Sequence, residues 1–232
     1  MTRDQVHYLV FDIDDTLYLE RDYVRSGFQA VAVWVQARIG AANFFDHAWR
    51  AFEAGVRQNV FDAALADCGI DPEPGLIAAL VRQYRAHRPR IELLPDALDC
   101  LRRLHGRVGL AALTDGPLES QRAKADALGL VRWLAPIVFT DALGPRSRKP
   151  ALTGFRLIED QMGGADALYA YVGDNPAKDF VGPNSLGWKT VRVRRPGSLH
   201  WAKDSGAGVD AEIQNLSGLV PALELSDASP AR

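Results

Sequence analysis

Residues 6–13, Val-His-Tyr-Leu-Val-Phe-Asp-Ile, constrain this chain most. The run is apolar, aromatic and β-branched, too short for a helix, and it runs into three acids at Asp12, Asp14 and Asp15. A strand without polar alternation is buried on both faces, as the central strands of parallel sheets are. Its C-terminal end therefore delivers carboxylates to one place. Carboxylates are not buried without a positive partner, so a cation or a basic side chain is expected beside them.

The remaining text says what surrounds that strand. Residues 21–87 carry long amphipathic stretches such as 24–39 with few turn signals, which predicts several helices and no strand. From Pro95 onward helix and strand alternate. Helices are expected at 96–104, 117–128, 150–162, 179–186 and 216–223, and strands at 108–113, 137–140, 168–172 and 190–193. Such alternation predicts an α/β fold, a doubly wound parallel sheet with a helical insertion after its first strand. The expected core is 1–17 with 95–225, the insertion 18–94, and 226–232 a frayed tail. Open parallel sheets bind ligands at the C-terminal ends of their strands. Asp12, Asp14, Thr114, Asp115 and Asp174 all follow predicted strands and should converge there.

Composition narrows the partners. The formal net charge of -2 and pI near 6.2 give no general attraction to nucleic acid or an anionic membrane surface. The expectation is no nucleic acid polymer and no membrane partner; oligomeric state is not readable. Neither a signal peptide nor a membrane span is expected, so cytoplasm is the default location. Cys68 and Cys100 read as reduced thiols in apolar helical surroundings. The five histidines lack metal-ligand spacing, and no serine sits in a nucleophile elbow. Gly206, Gly208 and Ala211 match a dinucleotide fingerprint on paper, but no strand precedes them and the segment reads as loop. Arg192, Arg194 and Arg195 follow a strand, as recognition for a second anionic group or as a solvated edge.

Among the acids, Asp12 and Asp14 suit a hard cation with oxygen ligands, and magnesium commonly takes one or two carboxylates, waters and phosphate oxygens. Asp15 reads better as a turn cap. The segment from Gly173 and Asp174 through Asp179 is a second acidic turn after a second strand, so both turns would share one ion. Lys149, before Pro150, offers positive charge for a phosphate; taken singly it is an ordinary surface lysine. Thr114, with Asp115 and Gly116 after it, offers a hydroxyl and amides to phosphate oxygens, or an ordinary helix N-cap.

Taken in order, these pieces resemble the haloacid dehalogenase superfamily phosphatases. Phe11-Asp12-Ile13-Asp14-Asp15-Thr16-Leu17 is similar to their first signature, Leu113-Thr114-Asp115-Gly116 to the second, Lys149-Pro150 to the third, and Gly173-Asp174 through Asp179 to the fourth. The four together span most of the predicted core, and an ordered set is far more specific than any one motif. The resemblance implies a magnesium-dependent phosphatase acting on a small phosphorylated metabolite such as a sugar, polyol or nucleotide phosphate. Asp12 would be the nucleophile and form an aspartyl-phosphate, and Asp14 the general acid and base. Asp12, Asp174 and the backbone carbonyl of Asp14 would bind magnesium. Asp179 would orient metal waters or Lys149, while Thr114, Asp115 and Lys149 would hold the phosphate. The second motif commonly has asparagine where this chain has Asp115, which leaves that side chain's role open. The helical insertion corresponds to the family's cap, where Tyr18, Arg21, Tyr23 and Arg25 would either touch substrate or serve packing and solvation. A dehalogenase of the same superfamily and a catalytically silent binding module are the rivals. Asp14 argues against the first, and retention of Asp12, Asp14, Lys149 and Asp174 together against the second.

Overall fold

The computed structural model describes residues 6–206 and 208–225, so the tail expected at 226–232 lies outside the described residues. The chain divides into two compact units, one of Met1–Glu20 with Glu92–Arg232 and one of Arg21–Ile91.

The first unit is a six-stranded sheet with every neighbouring pair parallel. Its strands are β1 (Tyr8–Phe11), β2 (Gly109–Thr114), β3 (Ile137–Phe139), β4 (Tyr169–Gly173), β5 (Lys189–Val193) and β6 (Ala211–Ile213), in spatial order β3-β2-β1-β4-β5-β6. The register sets Phe11 beside Ala112 on one side and Val172 on the other. After β1 the chain winds outward through β2 and β3, then returns to place β4 against the other side of β1. The loops leaving β1 and β4 consequently part, and the resulting crevice at the strand ends is where open sheets bind ligands.

Burial explains the sequence pattern. Leu9, Val10 and Phe11 are fully buried, so β1 needs no polar face. Val10, Ala111, Leu113, Phe155, Ile158, Tyr169, Tyr171 and Trp188 belong to one packed cluster, and each large apolar side chain withdrawn from water there contributes about 1.5–3 kcal/mol. In the second unit α1 (Glu20–Ile39), which begins in the first, buries Val24, Phe28, Val31 and Val35, a stripe at helical spacing. It is accompanied by α2 (Phe44–Glu53), α3 (Val60–Asp67) and α4 (Leu76–Ala86). The Phe28 ring packs on Phe52, Phe61 and Tyr84 at centroid distances of 6.2, 5.7 and 5.8 Å.

The core helices are α5 (Pro95–Leu104), α6 (Leu118–Ala127), α7 (Thr153–Gln161), α8 (Val181–Ser185) and α9 (Leu219–Ala222). Two expectations change. The helix expected at 216–223 begins as a 3-10 turn, Leu216–Gly218, before α9. Ala211, read as loop, starts β6: its three residues pair with β5 from Val191↔Ala211 to Val193↔Ile213. A three-residue strand with a central glutamate carries no legible period, and the sheet edge, not propensity, makes it a strand.

Candidate active site

β1 ends in a turn that sorts its three acids by direction. Asp12 is buried; its Oδ1 accepts from the N–H of Ile13 at 2.8 Å and its Oδ2 lies 2.9 Å from Lys149 Nζ. Asp15, at φ 53°, turns the other way, and its two oxygens accept from the N–H groups of Glu20 (2.8 Å) and Leu199 (2.7 Å). It is a buried brace between two loops, not a solvated cap. Asp14 faces α6: its carboxylate accepts from Gln121 Nε2 at 2.9 Å, Lys124 Nζ at 2.7 Å and the Tyr18 hydroxyl.

The end of β4 supplies the second set. Asp12, Asp174 and Asp179 are all buried, and each offers a carboxylate oxygen within 4.8 Å of the others. Asp179 is drawn in because Gly173 has no side chain: a Cβ there would lie 2.6 Å from Asp179 Oδ2. That oxygen accepts from the Asn175 N–H at 2.8 Å, and Oδ1 lies 2.8 Å from Lys149 Nζ. Among the described residues Asp174 Oδ2 and Thr114 Oγ1 are buried without hydrogen-bond partners. Such atoms are costly unless something occupies them.

Charge follows from this packing. Burial pushes the Asp12 carboxyl up to about 6, with Lys149 opposing and Asp179 adding to the rise. Burial, then Asp179 and Asp12, push Asp174 well above the usual carboxylate range. Burial works against the Lys149 ammonium, but Asp12 and Asp179 outweigh it and hold its pKa above that of an ordinary lysine. For Asp14 burial is overcome by Lys124 and by hydrogen bonds from Lys124, Tyr18 and Gln121, which hold it below its ordinary value. Three crowded carboxylates with an unpartnered oxygen are the donor set a hard divalent cation takes, so Asp12, Asp174 and Asp179 fit magnesium.

The Asp115 side chain, whose role the second motif left open, is engaged within the protein. Its Oδ1 accepts from Thr140 Oγ1 (2.8 Å) and the Lys149 N–H (3.1 Å), and its Oδ2 from Lys178 Nζ (3.2 Å). An acceptor-only carboxylate has no donor for a phosphate oxygen, and burial notwithstanding, Lys149 and Lys178 keep it ionised. Tyr18 belongs to the first unit, on Asp14. In the second unit Tyr23 is buried against the rings of Tyr84 and His87 at 5.6 and 4.8 Å, as packing. Arg21 pairs with Glu53 at 2.7 Å, and Arg21 and Arg25 both lie over the Trp49 ring.

In the basic run, Arg192 within β5 and Arg195 just after it are buried, while Arg194 stays partly exposed. Arg192 is fully buried and donates to the carbonyls of Asp174 (3.2 Å) and His200 (2.8 Å) and to Ser205 Oγ (2.6 Å). Arg194 Nε donates to the Trp201 carbonyl at 2.6 Å. Arg195 donates to both oxygens of Asp96 (3.0 and 2.8 Å) and to the Thr16 carbonyl (3.1 Å). Arg192 and Arg195 thus hold the loops that carry Asp174 and the β1 acids.

Sequence reasoning passed over Gln121, Lys124, Thr140, Tyr171 and Lys178. Gln121 and Lys124 stand three apart on α6 just after the second motif, and a buried polar pair at helical spacing beside a strand end is a usable signal. Tyr171, whose hydroxyl lies 2.8 Å from Lys149 Nζ and donates to the Leu113 carbonyl at 3.2 Å, looked like core and is partly that.

An open parallel sheet with carboxylates and a buried lysine gathered at its switch point defines a hydrolytic or group-transfer α/β enzyme. The chain belongs to the haloacid dehalogenase-like hydrolases, which it matches over residues 6–187. It is 29% identical over 199 residues to a glyceraldehyde 3-phosphate phosphatase of Methanopyrus kandleri, covering 81% of this chain and 83% of that one. To a phosphoserine phosphatase of Thermus thermophilus it is 32% identical over 146 residues, 62% of this chain and 57% of the relative. The HAD-hydrolase YfnB of Bacillus subtilis, whose crystal structure is bound to magnesium, superposes with a TM-score of 0.70 at 20% identity, over 95% of this chain and all (100%) of that one.

Proposed function

We propose that this hydrolase is a magnesium-dependent phosphomonoesterase for a small phosphorylated metabolite, with Asp12 as nucleophile. The observation that carries this reading is the buried set of Asp12, Lys149, Asp174 and Asp179 at the ends of β1 and β4. Phosphatases among the relatives, with different leaving groups, support the reaction class and leave the metabolite open. Cytoplasm remains the proposed location; among the described residues no helix is long and apolar enough to cross a membrane.

In the proposed reaction an Asp12 oxygen attacks phosphorus as the bond to the leaving oxygen breaks, and Asp14 gives that oxygen a proton. Water then attacks the aspartyl-phosphate, Asp14 takes its proton, and phosphate leaves with Asp12 restored. Asp12 and Asp174, with the Asp14 carbonyl, would hold magnesium, and Asp179, paired with Lys149, would orient metal waters or Lys149. Bound there, magnesium supplies positive charge against the charge gathering on phosphoryl oxygens. Thr114 offers its unpartnered hydroxyl to one of those oxygens. Lys149 keeps Asp12 paired and offsets part of the negative charge of the acids. Lys124, Gln121 and Tyr18 hold Asp14 ionised, the form a base requires; as an acid it must first leave Lys124 and take a proton. The unit Arg21–Ile91 is proposed as the cap that selects the leaving group.

Phosphate release from a panel of phosphomonoesters, with magnesium and with chelator, tests the reading. Release is expected with magnesium only, and Asp12→Asn should reduce it to a trace while leaving the fold intact. Full turnover in chelator, or an active Asp12→Asn protein, would refute it.

A further inference from the structure

Lysine has three N–H donors and no acceptor. Lys149 donates one of them to the Tyr171 hydroxyl at 2.8 Å and is ion-paired with Asp12 Oδ2 at 2.9 Å and Asp179 Oδ1 at 2.8 Å, and its side chain is fully buried. An ammonium so committed grasps an entering phosphoryl oxygen only by leaving one of these partners.

The site holds a second lysine in a different condition. Lys178 directly precedes Asp179, its side chain is 30% exposed, and among the described residues Nζ has one hydrogen-bond partner, Asp115 Oδ2 at 3.2 Å. Two donors therefore remain for an incoming group. It stands one residue before Asp179, whose carboxylate lies in the acidic cluster with Asp12. Asp115 is itself fixed, because Oδ1 accepts from Thr140 Oγ1 and from the Lys149 N–H. The same carboxylate thus joins the strand carrying Thr114 to the backbone of Lys149 and the ammonium of Lys178. An asparagine at this position would keep an acceptor for Thr140 and Lys149 but would hold Lys178 without charge.

We propose, on the phosphatase reading, that Lys178 binds the phosphoryl group directly and that Asp115 is the positioning residue that aims it. Lys149 is then chiefly the internal counter-ion that lets Asp12 and Asp179 stay close. The partly exposed ammonium meets the phosphate as a mobile point charge, the manner in which lysine serves phosphate sites.

Kinetics with p-nitrophenyl phosphate in magnesium, with inorganic phosphate as competing ligand, test this. Lys178→Gln should raise both KM and the inhibition constant for phosphate by about tenfold or more, with a smaller loss in kcat and an unchanged melting temperature. Lys178→Arg should recover most of the loss. Asp115→Asn should weaken phosphate less, and adding it to Lys178→Gln should cost little more, because both changes act on one contact. Independently of any variant, trace acetylation of wild-type Lys178, read by peptide mass spectrometry, should slow several-fold when inorganic phosphate saturates the protein. An active wild type whose Lys178→Gln variant keeps its KM and phosphate inhibition overturns the role of Lys178. So does an arginine no better than glutamine, or acetylation indifferent to phosphate. A wild type that hydrolyses no phosphomonoester overturns the phosphatase reading instead.

Discussion

Asp14 is separated from Asp12 by one residue and differs from it in almost every physical respect. Asp12 is pushed up to about 6 chiefly by burial, whereas Asp14, clasped by Lys124, Gln121 and Tyr18, is held below its ordinary value. Held ionised, Asp14 stands in the form a base requires; to serve as the acid of the first step it must leave Lys124 and take a proton. Asp14→Asn keeps the volume and the backbone carbonyl and removes proton exchange. With an alkyl phosphate the basic leaving oxygen needs an acid, so the first step should be nearly blocked. With p-nitrophenyl phosphate the leaving group departs unaided, and only hydrolysis of the intermediate lacks its base. The variant should release a burst of nitrophenol approaching one equivalent per site, then turn over slowly with phosphate trapped on Asp12. Equal losses on both substrates, with no burst, would remove Asp14 from the proton transfers.

Elements place these residues, and two junctions show how. At the end of β4, Gly173 leaves room for Asp179, since a Cβ would meet Asp179 Oδ2 at 2.6 Å and Tyr171 Cε1 at 3.0 Å. Gly173→Ala should therefore displace Asp179, cost about 1–3 kcal/mol as overpacking does, and lower phosphate release more than stability alone explains. Full activity in a destabilised Gly173→Ala protein would show that the position of Asp179 is not critical. At the start of α5, Asp96 accepts from both terminal nitrogens of Arg195 and from the Leu216 N–H at 2.8 Å. Burial opposes its charge, but the Arg195 hydrogen bonds and the Leu216 N–H win and lower its pKa. A depressed folded-state pKa gives stability that is complete above the unfolded value and lost as pH falls through the folded one. Asp96→Asn should cost about 1.5–3 kcal/mol at neutral pH. In urea titrations its deficit from wild type should begin to shrink only below about pH 4; a deficit constant below that would assign the loss to geometry and not to charge. Periodicity revealed β1, β2 and β4 because their burial is written as continuous apolar residues, and β5 through its β-branched residues. It hid β6, whose pairing comes from its neighbour, and the Arg195 to Asp96 staple, which spans 99 residues.

At the scale of the molecule, an open sheet concentrates the C-terminal ends of its central strands at one place, so residues remote in sequence become one site. That rule made Asp12 and Asp174 legible together, since each follows a strand, and Lys149 stood at the start of the helix expected at 150–162. Side-chain direction was not legible: nothing in the text separates Asp14, facing α6, from Asp15, facing Leu199, or tells that Asp115 serves lysines. The unit Met1–Glu20 with Glu92–Arg232 carries every proposed magnesium ligand, so metal and fold of that unit must be linked. Without a cation, burial first and crowding second make the ionised carboxylates of Asp12 and Asp174 oppose folding. A ligand at one hundred times its dissociation constant adds about 2.7 kcal/mol to the state that binds it. For a unit of this size that corresponds to about 5–10 °C in melting temperature. Magnesium at saturation should raise the thermal transition by about that much relative to chelator at equal ionic strength, and Asp174→Asn should lose most of the increment. Because the ligands must be ionised to bind, the increment should be larger at pH 8 than at pH 5, in line with the value of about 6 for Asp12. A shift that is equal in wild type and Asp174→Asn, or that a monovalent salt reproduces, would trace the effect to surface charge screening and separate magnesium from this acidic cluster.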